Sequence, residues 1–384
     1  MLKTFKYRLY PTKAQKRRLS AILRSCCWLY NQFLEERKKR WEADQERVGC
    51  YDQIKSLPGR KALHPDLKQI HSQVLQNIPK RLDEAFQGFF RRAKHGEKPG
   101  FPRFRPHQRY DSITFPQVET GGCKVTQDRM LAVSKIGNIP MVLHRPLEGL
   151  PKTATIKRTP TGKWFVTFSC EWEPTPLPAD DKAVGIDMGV RIFAEFSDGH
   201  KAIQNPKFFK QEQRALAKAQ RKLAKQAKGT KERAHARKTV ARVYERTTWR
   251  RSNFAHQESR RLVNEYGSLY VEDLAVQSLL QKEDSCPAKN RGIADAAWRQ
   301  FITLLSVKAE WAARTFVAVN PAYTSKLCSA CGHIHKDLRD EEIFVCPVCG
   351  FREHRDKNAA INIFVLGTQY VRASSEAIFR SPRL

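Results

Sequence analysis

Acidic residues are scarce in this 384-residue chain. Asp and Glu number 39 against 70 Lys and Arg, a formal charge of +31 and a pI near 10. Charge of that size repels itself in the compact state unless a polyanion offsets it, and nucleic acid is the default polyanion. An anionic membrane surface is the competing partner. Long apolar runs are also missing. No stretch approaches the ~18–20 residues that cross a bilayer, so no membrane span is expected. The opening Met1-Leu2-Lys3-Thr4-Phe5-Lys6-Tyr7 lacks the apolar centre of a secretory leader. A disulfide framework is absent too. Of ten cysteines, six (Cys26, Cys27, Cys50, Cys123, Cys170, Cys286) are scattered and four form two tight pairs. These absences point to a reducing, cytoplasmic setting. What is present suffices for a core: 41% of residues are hydrophobic, which excludes global disorder. The length suggests two or three domains at about 100–200 residues each.

Residues 4–10 alternate, with Phe5, Tyr7 and Leu9 on one face, as in a half-buried strand that Pro11 ends. Thr12 and Gln15 have capping-box spacing. Leu19, Ile22, Leu23, Cys26, Tyr30, Phe33 and Leu34 follow at helical spacing. Helix continues to about Lys94, with breaks near Gly49 and Pro58-Gly59. A second stripe, Leu75, Ile78, Leu82, Phe86, Phe89 and Phe90, reads as core. Residues 112–173 read as short strands, clearest at Thr153–Arg158 and Trp164–Glu171, making a small barrel closed by the N-terminal strand. Pro174, Pro176 and Pro178 read as a linker. Beyond it come strands at Ala183–Asp187, Ile192–Phe196 and after Gly199, a basic helical stretch with a stripe of Leu216, Ala219, Leu223 and Ala227, and a strand ending at Glu272. An amphipathic helix over 293–313, a strand at Phe316–Val319, the cysteine pairs, and a helix from Asp356 complete the order. After Val365 no strong pattern remains, and 367–384 is expected to be a flexible tail.

Cys328-Ser-Ala-Cys331 and Cys346-Pro-Val-Cys349 are two C-x-x-C knuckles, each followed by glycine, Gly332 and Gly350. Four thiolates at this spacing close a tetrahedral zinc site and leave no open position, so the role is structural. An iron–sulfur cluster is the alternative metal, free thiols the alternative without one. His333, His335 and His354 lie nearby, but the site does not need them.

Three acids stand on element ends: Asp187 within an apolar strand between Gly185 and Gly189, Glu272 closing a later strand, and Asp356 opening the last helix. Singly, each would read as a capping or salt-bridging acid. The order of elements is that of a ribonuclease H-like fold, in which adjacent strands and a late helix bring such acids together. Two carboxylates at ~4 Å repel by about 4 kcal/mol at an effective dielectric near 20. Divalent cations resolve this and supply two-metal phosphodiester hydrolysis; oxygen ligands suit Mg²⁺ or Mn²⁺. Asp273 points to the other face by strand alternation, and Asp198 reads as a turn residue. Residues 210–261 hold four acids (Glu212, Glu232, Glu245, Glu258) among many cations, so Arg221, Lys222, Arg250 and Arg251 are candidate phosphate contacts. Arg103 and Arg105, interleaved with Phe101 and Phe104, suggest a second backbone-gripping site.

The residues also match a family. The chain resembles the TnpB family, RNA-guided nucleases encoded by insertion sequences and related to type V CRISPR effectors. The likeness runs nearly end to end. It includes Tyr7-Arg8-Leu9-Tyr10-Pro11, Gly100-Phe101-Pro102-Arg103-Phe104, Gly185-Ile186-Asp187-Met188-Gly189, Ser197-Asp198-Gly199 and Asn205-Pro206-Lys207. It continues through Val271-Glu272-Asp273-Leu274, Thr324-Ser325-Lys326-Leu327-Cys328-Ser329-Ala330-Cys331-Gly332 and Arg355-Asp356-Lys357-Asn358-Ala359-Ala360-Ile361-Asn362-Ile363. The resemblance implies an α+β multidomain chain. A wedge β-barrel domain (1–10 and 96–178) carries an inserted helical recognition domain (11–95). A RuvC-like nuclease domain (182–323 and 354–366) carries a basic helical insertion (210–265) and a zinc ribbon (324–353). It implies RNA-guided endonuclease activity on double-stranded DNA, with a guide RNA derived from the transposon end, structural Zn²⁺ and catalytic Mg²⁺ or Mn²⁺. Its three catalytic acids fall on Asp187, Glu272 and Asp356. Its readers of a short target-adjacent motif fall in the helical region, where Gln76 and Tyr51 are the candidates. One protein copy per RNA complex is expected, with a separate transposase encoded by the same element as a further partner. His354 stands where many members have an acid. A non-cleaving guided regulator and a strand-joining transposase are the rival readings.

Overall fold

A computed structural model describes residues 1–274, 287–339 and 341–380, so Cys286 and residues 381–384 lie outside the described residues. The chain divides into two units, Met1–Glu173 and Pro174–Leu384.

The first unit is organised by strand β1 (Leu2–Leu9). Its alternation sends Phe5, Tyr7 and Leu9 inward, all buried. On its other face Lys6 and Arg8 lie over the Phe165 ring at 4.5 and 5.0 Å. With both faces covered, β1 pairs along both edges. The strands β2 (Ser112–Phe115), β3 (Cys123–Val125), β4 (Met130–Val133), β5 (Gly137–Val142), β6 (Leu150–Arg158) and β7 (Trp164–Glu171) join it in a nearly closed, barrel-like sheet of order β2-β6-β7-β1-β5-β4-β3. The N-terminal strand therefore does not close the barrel at its seam. It is the central strand, paired with β7 from Leu2↔Glu171 to Leu9↔Trp164 and with β5 at Arg8↔Val142.

Helix α1 (Lys13–Asp44) starts at the expected capping box: the Thr12 hydroxyl accepts from Gln15 N, and Gln15 Oε1 accepts from Thr12 N. Its buried stripe is the one read from periodicity. Helices α2 (Cys50–Lys55), α3 (Leu57–Leu63) and α4 (Ser72–Lys94) follow. The expected break at Pro58-Gly59 falls instead at Ser56. Pro58 sits in the first turn of α3, where its missing N–H has no helical partner to lose. The α4 stripe is core only in part. Leu75, Ile78 and Leu82 are buried, but Phe86 and Phe89 are half-buried and Phe90 is 61% exposed. Phe86 and Phe89 meet the Phe101 ring edge-on at 5.4 Å. One apolar core runs through helices and sheet.

The second unit is built on β8 (Ala183–Asp187), β9 (Ile192–Phe196), β10 (Ile203–Gln204), β11 (Ser268–Glu272) and β12 (Thr315–Val319), in the order β10-β9-β8-β11-β12. β8, β11 and β12 are parallel; β9 and β10 are antiparallel additions. This is the ribonuclease H-like order. Helices α5 (Phe208–Ala224) and α6 (Lys231–Glu265) form the basic pair. Leu216 and Ala219 are buried, but Ala227 lies past the end of α5 and is exposed. The single helix expected over 293–313 is two, α7 (Pro287–Ala296) and α8 (Trp298–Trp311), broken at Ala297, which takes a left-handed φ of 54°.

The last helix, α9, spans Arg355–Arg380. The expected loss of pattern after Val365 is not observed. Leu366 and Val371 pack against the cluster of Tyr270, Val317, Val319 and Ile363, and Gly367 leaves room for the Tyr270 ring, so the helix is packed at least to Val371. α9 lies unusually close to β8. A Cβ on Gly185 would sit 2.2 Å from Ala360 O and 2.5 Å from Phe364 N, both helix backbone atoms that cannot rotate away. Among the described residues no helix is long and apolar enough to cross a membrane.

Gly185→Ala is expected to destabilise the protein by about 1–3 kcal/mol or more, as overpacking against rigid backbone does. Gly59→Ala, with nothing within 4 Å, is the control, expected to gain about 0.5–1 kcal/mol in its helix. Urea unfolding midpoints of the two variants check this.

Candidate functional site

β8 and β11 run parallel and in register from Ser268↔Ala183 to Val271↔Ile186, so Asp187 and Glu272 end adjacent strands at the same sheet edge. Asp356 arrives on the first turn of α9, held over the sheet by the Gly185 contact. Its Oδ2 lies 3.9 Å from where a Cβ on Gly189 would be, so both glycines of the β8 motif face α9. Burial pushes the Asp187 carboxyl well above its usual range, and the charges of Glu272 and then Asp356 push it the same way. Asp187 thus senses both other acids. Burial also raises Glu272, against the opposing bond from Thr324. Glu195, paired with Asp187 across β8 and β9, is raised by burial and, in lesser part, by Asp356. Asp273 is exposed, and Asp198 accepts from His200 N within its turn and from the Tyr266 hydroxyl at 2.7 Å.

The four cysteines make a second centre. The Sγ atoms of Cys328, Cys331, Cys346 and Cys349 all lie within 4.8 Å of one another, with Cys328–Cys349 at 3.7 Å and Cys331–Cys346 at 3.6 Å. A tetrahedron with ~2.3 Å Zn–S bonds has edges of about 3.8 Å, so the donor set fits zinc without rearrangement. The two knuckles are the same backbone device twice. Gly332 N donates to Cys328 O and Gly350 N to Cys346 O, with φ of 74° and 72° at the glycines. Backbone N–H groups of Cys349 and Val348 lower the Cys346 thiol, while hydrogen bonds with the neighbouring thiols raise Cys331 and burial raises Cys328. Strands β13 (Ile343–Val345) and β14 (Arg352–His354) flank the second knuckle.

Between the two centres runs a set of bonds that sequence reasoning missed. Asn358 and Asn362 project from one face of α9 and are buried. Asn358 accepts from Ser329 N at 3.0 Å and donates to Leu327 O at 2.7 Å. Asn362 donates to Thr324 O at 2.9 Å and to Leu327 O at 2.7 Å. The Thr324 hydroxyl donates to Glu272 Oε1. The available signal was two amides at i, i+4 spacing in an otherwise apolar helix turn.

The candidate phosphate contacts divide. Arg103, Arg221 and Lys222 are exposed. Arg105 lies over the Tyr30 ring at 4.7 Å. Arg250 pairs with Glu212 at 3.2 Å. Arg251 pairs with buried Asp295 at 2.6 Å, and Asp295 also accepts from Phe209 N and Lys210 N at the start of α5. Both arginines are thus engaged within the fold. Gln76 and Tyr51 are exposed on α4 and α2. The first unit also holds a cleft of about 830 Å³ lined by Trp41, Phe86, Phe90, Phe101 and the cations Arg37 and Lys38.

The fold and these centres define a multidomain α+β protein: a carboxylate-edged, ribonuclease H-like sheet with a four-cysteine ribbon, preceded by a barrel-like sheet with helices. Family models agree along the chain. One described as "Helix-turn-helix domain" matches residues 1–46, one described as "Probable transposase" matches 167–283, and one described as "Cas12f1-like, TNB domain" matches 298–363. Residues 1–46 themselves fold as β1 and one long helix. A Streptomyces pristinaespiralis protein named "Putative RNA-guided DNA endonuclease" is 35% identical over 372 residues, covering 95% of this chain and 89% of that one. An Escherichia coli K12 protein named "Putative RNA-guided DNA endonuclease InsQ" is 28% identical over 383 residues, covering 95% and 92%. The solved structure of the mini-RNA-guided endonuclease CRISPR-Cas_phi3 shares the fold at 10% identity, with a TM-score of 0.54 over 96% of this chain and 92% of that one. The chain belongs to the TnpB family.

Asp187 makes the cluster of acids costly to hold ionised. Because its folded-state carboxyl is raised, the penalty is absent below the ordinary carboxylate range near pH 4 and grows as pH rises through the raised value. Asp187→Asn is therefore expected to melt above the parent at pH 8 in buffer without added Mg²⁺ or Mn²⁺, by about 2–4 °C per kcal/mol of repulsion removed, and to match it near pH 4. Calorimetry at the two pH values checks the sign.

Proposed function

We propose that this chain is an RNA-guided DNA endonuclease that hydrolyses phosphodiester bonds at Asp187, Glu272 and Asp356 with divalent metal ions. The observation that carries the reading is the convergence of the three acids at one sheet edge, with Asp187 destabilised by burial and by the other two. An all-oxygen donor set whose members repel one another suits Mg²⁺ or Mn²⁺, which when bound activates water and stabilises the leaving oxygen. Asp187 and Glu272 supply oxygens from rigid strand ends, and Asp356 supplies one from the helix above them. The four cysteines hold structural zinc and keep the segment before α9 in place.

The guide is an RNA derived from the transposon end, and pairing with it selects the DNA strand, while protein reads a short adjacent motif through Gln76 and Tyr51. The exposed cations Arg103, Arg221 and Lys222 meet phosphate, and the +31 charge favours both polyanions. One protein copy acts per RNA, and a separate transposase of the same element moves the DNA.

Two experiments test the reading. Protein purified with its RNA should cut a plasmid library carrying randomised motifs when Mg²⁺ is present. Asp187→Ala should lower that rate by about 10³-fold or more while RNA still copurifies. Unchanged cleavage in this variant would remove the acids from the chemistry, and cleavage without RNA would remove the guide. Second, Lys222→Ala should reduce the slope of log affinity against log salt by about 1. Arg251→Ala should instead lower the melting temperature, because it leaves Asp295 buried without its cation.

A further inference from the structure

The Thr324 side chain is buried, and its hydroxyl donates to one oxygen of Glu272. That proton has a second acceptor within reach, the Pro321 carbonyl at 3.1 Å, but the ionised carboxylate is the stronger one. The backbone that carries Thr324 is itself constrained. Tyr323 takes a left-handed φ of 66°, a conformation that a residue with a side chain holds only when its surroundings impose it. Hydrogen bonds on either side of it impose it. Lys326 N and Leu327 N both donate to Tyr323 O, Asn362 binds Thr324 O and Leu327 O, and Asn358 binds Leu327 O and Ser329 N. Leu327 and Ser329 flank the knuckle residue Cys328. Asn358 and Asn362 stand on the same helix as Asp356. One hydrogen-bonded chain therefore joins α9, the first cysteine knuckle and Glu272.

We propose that Thr324 is a positioning residue. It fixes one Glu272 oxygen so that the other faces the divalent ions, and the Asn358–Asn362 pair, backed by the Cys328 knuckle, fixes Thr324. The proposal rests on the reading of Glu272 as a metal ligand. It also gives the ribbon a consequence at the acids: its first knuckle sets the rotamer of one of them.

The test compares Thr324→Val, which keeps the shape and removes the hydroxyl, with Thr324→Ser, which keeps the hydroxyl. Two quantities are read on the full-length, zinc-loaded protein: Mn²⁺ affinity by electron paramagnetic resonance of the free ion, and, with guide RNA, the Mg²⁺ concentration for half-maximal cleavage. Loss of a partner that orients a metal ligand typically costs about 10–100-fold in metal affinity, so Thr324→Val should shift both by that amount. Thr324→Ser should restore both, with zinc content unchanged throughout. Asn362→Ala, one bond further from Glu272, should shift both in the same direction by less. Should Thr324→Val not fold, Thr324→Ala, which adds no bulk, is read the same way. Metal dependence unchanged in the hydroxyl-free variant, whatever its turnover, would overturn the proposal. Mn²⁺ affinity unchanged in Glu272→Gln would instead overturn the metal-ligand reading on which it rests.

Discussion

The second unit depends on how closely one helix can approach one strand. Helix α9 lies on β8 with backbone against backbone, at a separation that leaves no space for a Cβ on Gly185. That contact brings the first turn of α9 over the sheet edge where Asp187 and Glu272 end, and so places Asp356 with them. It also orients the face that carries Asn358 and Asn362. A bulkier residue at 185 would lift the helix, and the acids and the asparagine clamp would separate together.

Electrostatics act against this arrangement. Burial and mutual repulsion raise Asp187 well above an ordinary carboxylate. The fold tolerates the cost because the acids ride on elements fixed by apolar packing: Val184, Ile186, Leu269 and Val271 are fully buried in one cluster with α6 and α8. The excess positive charge is handled differently on the same unit. Where an arginine faces inward it is matched, as Arg251 is by Asp295; Arg221 and Lys222 face outward and lie exposed.

Much of this was legible in the residue string. Alternation marked β1, and the Thr12–Gln15 box marked the start of α1. The cysteine spacing, with glycine after each pair, specified two knuckles whose thiols meet at zinc-binding distances. Those are local relations, set by side-chain period and backbone conformation within a few residues. The sequence likewise marked the three acids as candidates, because their joint placement in a ribonuclease H-like order of elements outweighs the capping or salt-bridging reading that each would have alone.

Tertiary structure decided what depends on residues far apart in the chain. It made β1 a central strand, because pairing on both edges requires β5 and β7, which follow more than a hundred residues later. It broke the helix at Ala297 and carried α9 past Val365, since packing around Tyr270 outweighs a weak local pattern. It paired the candidate phosphate contact Arg251 with buried Asp295, and Arg250, still exposed, with Glu212. It joined Thr324, Asn358 and Asn362 to Glu272, a link between motifs whose members lie 52 and 38 positions apart. Hydrogen bonds of that range leave no periodicity in the sequence, because their geometry exists only once strand, knuckle and helix have packed together.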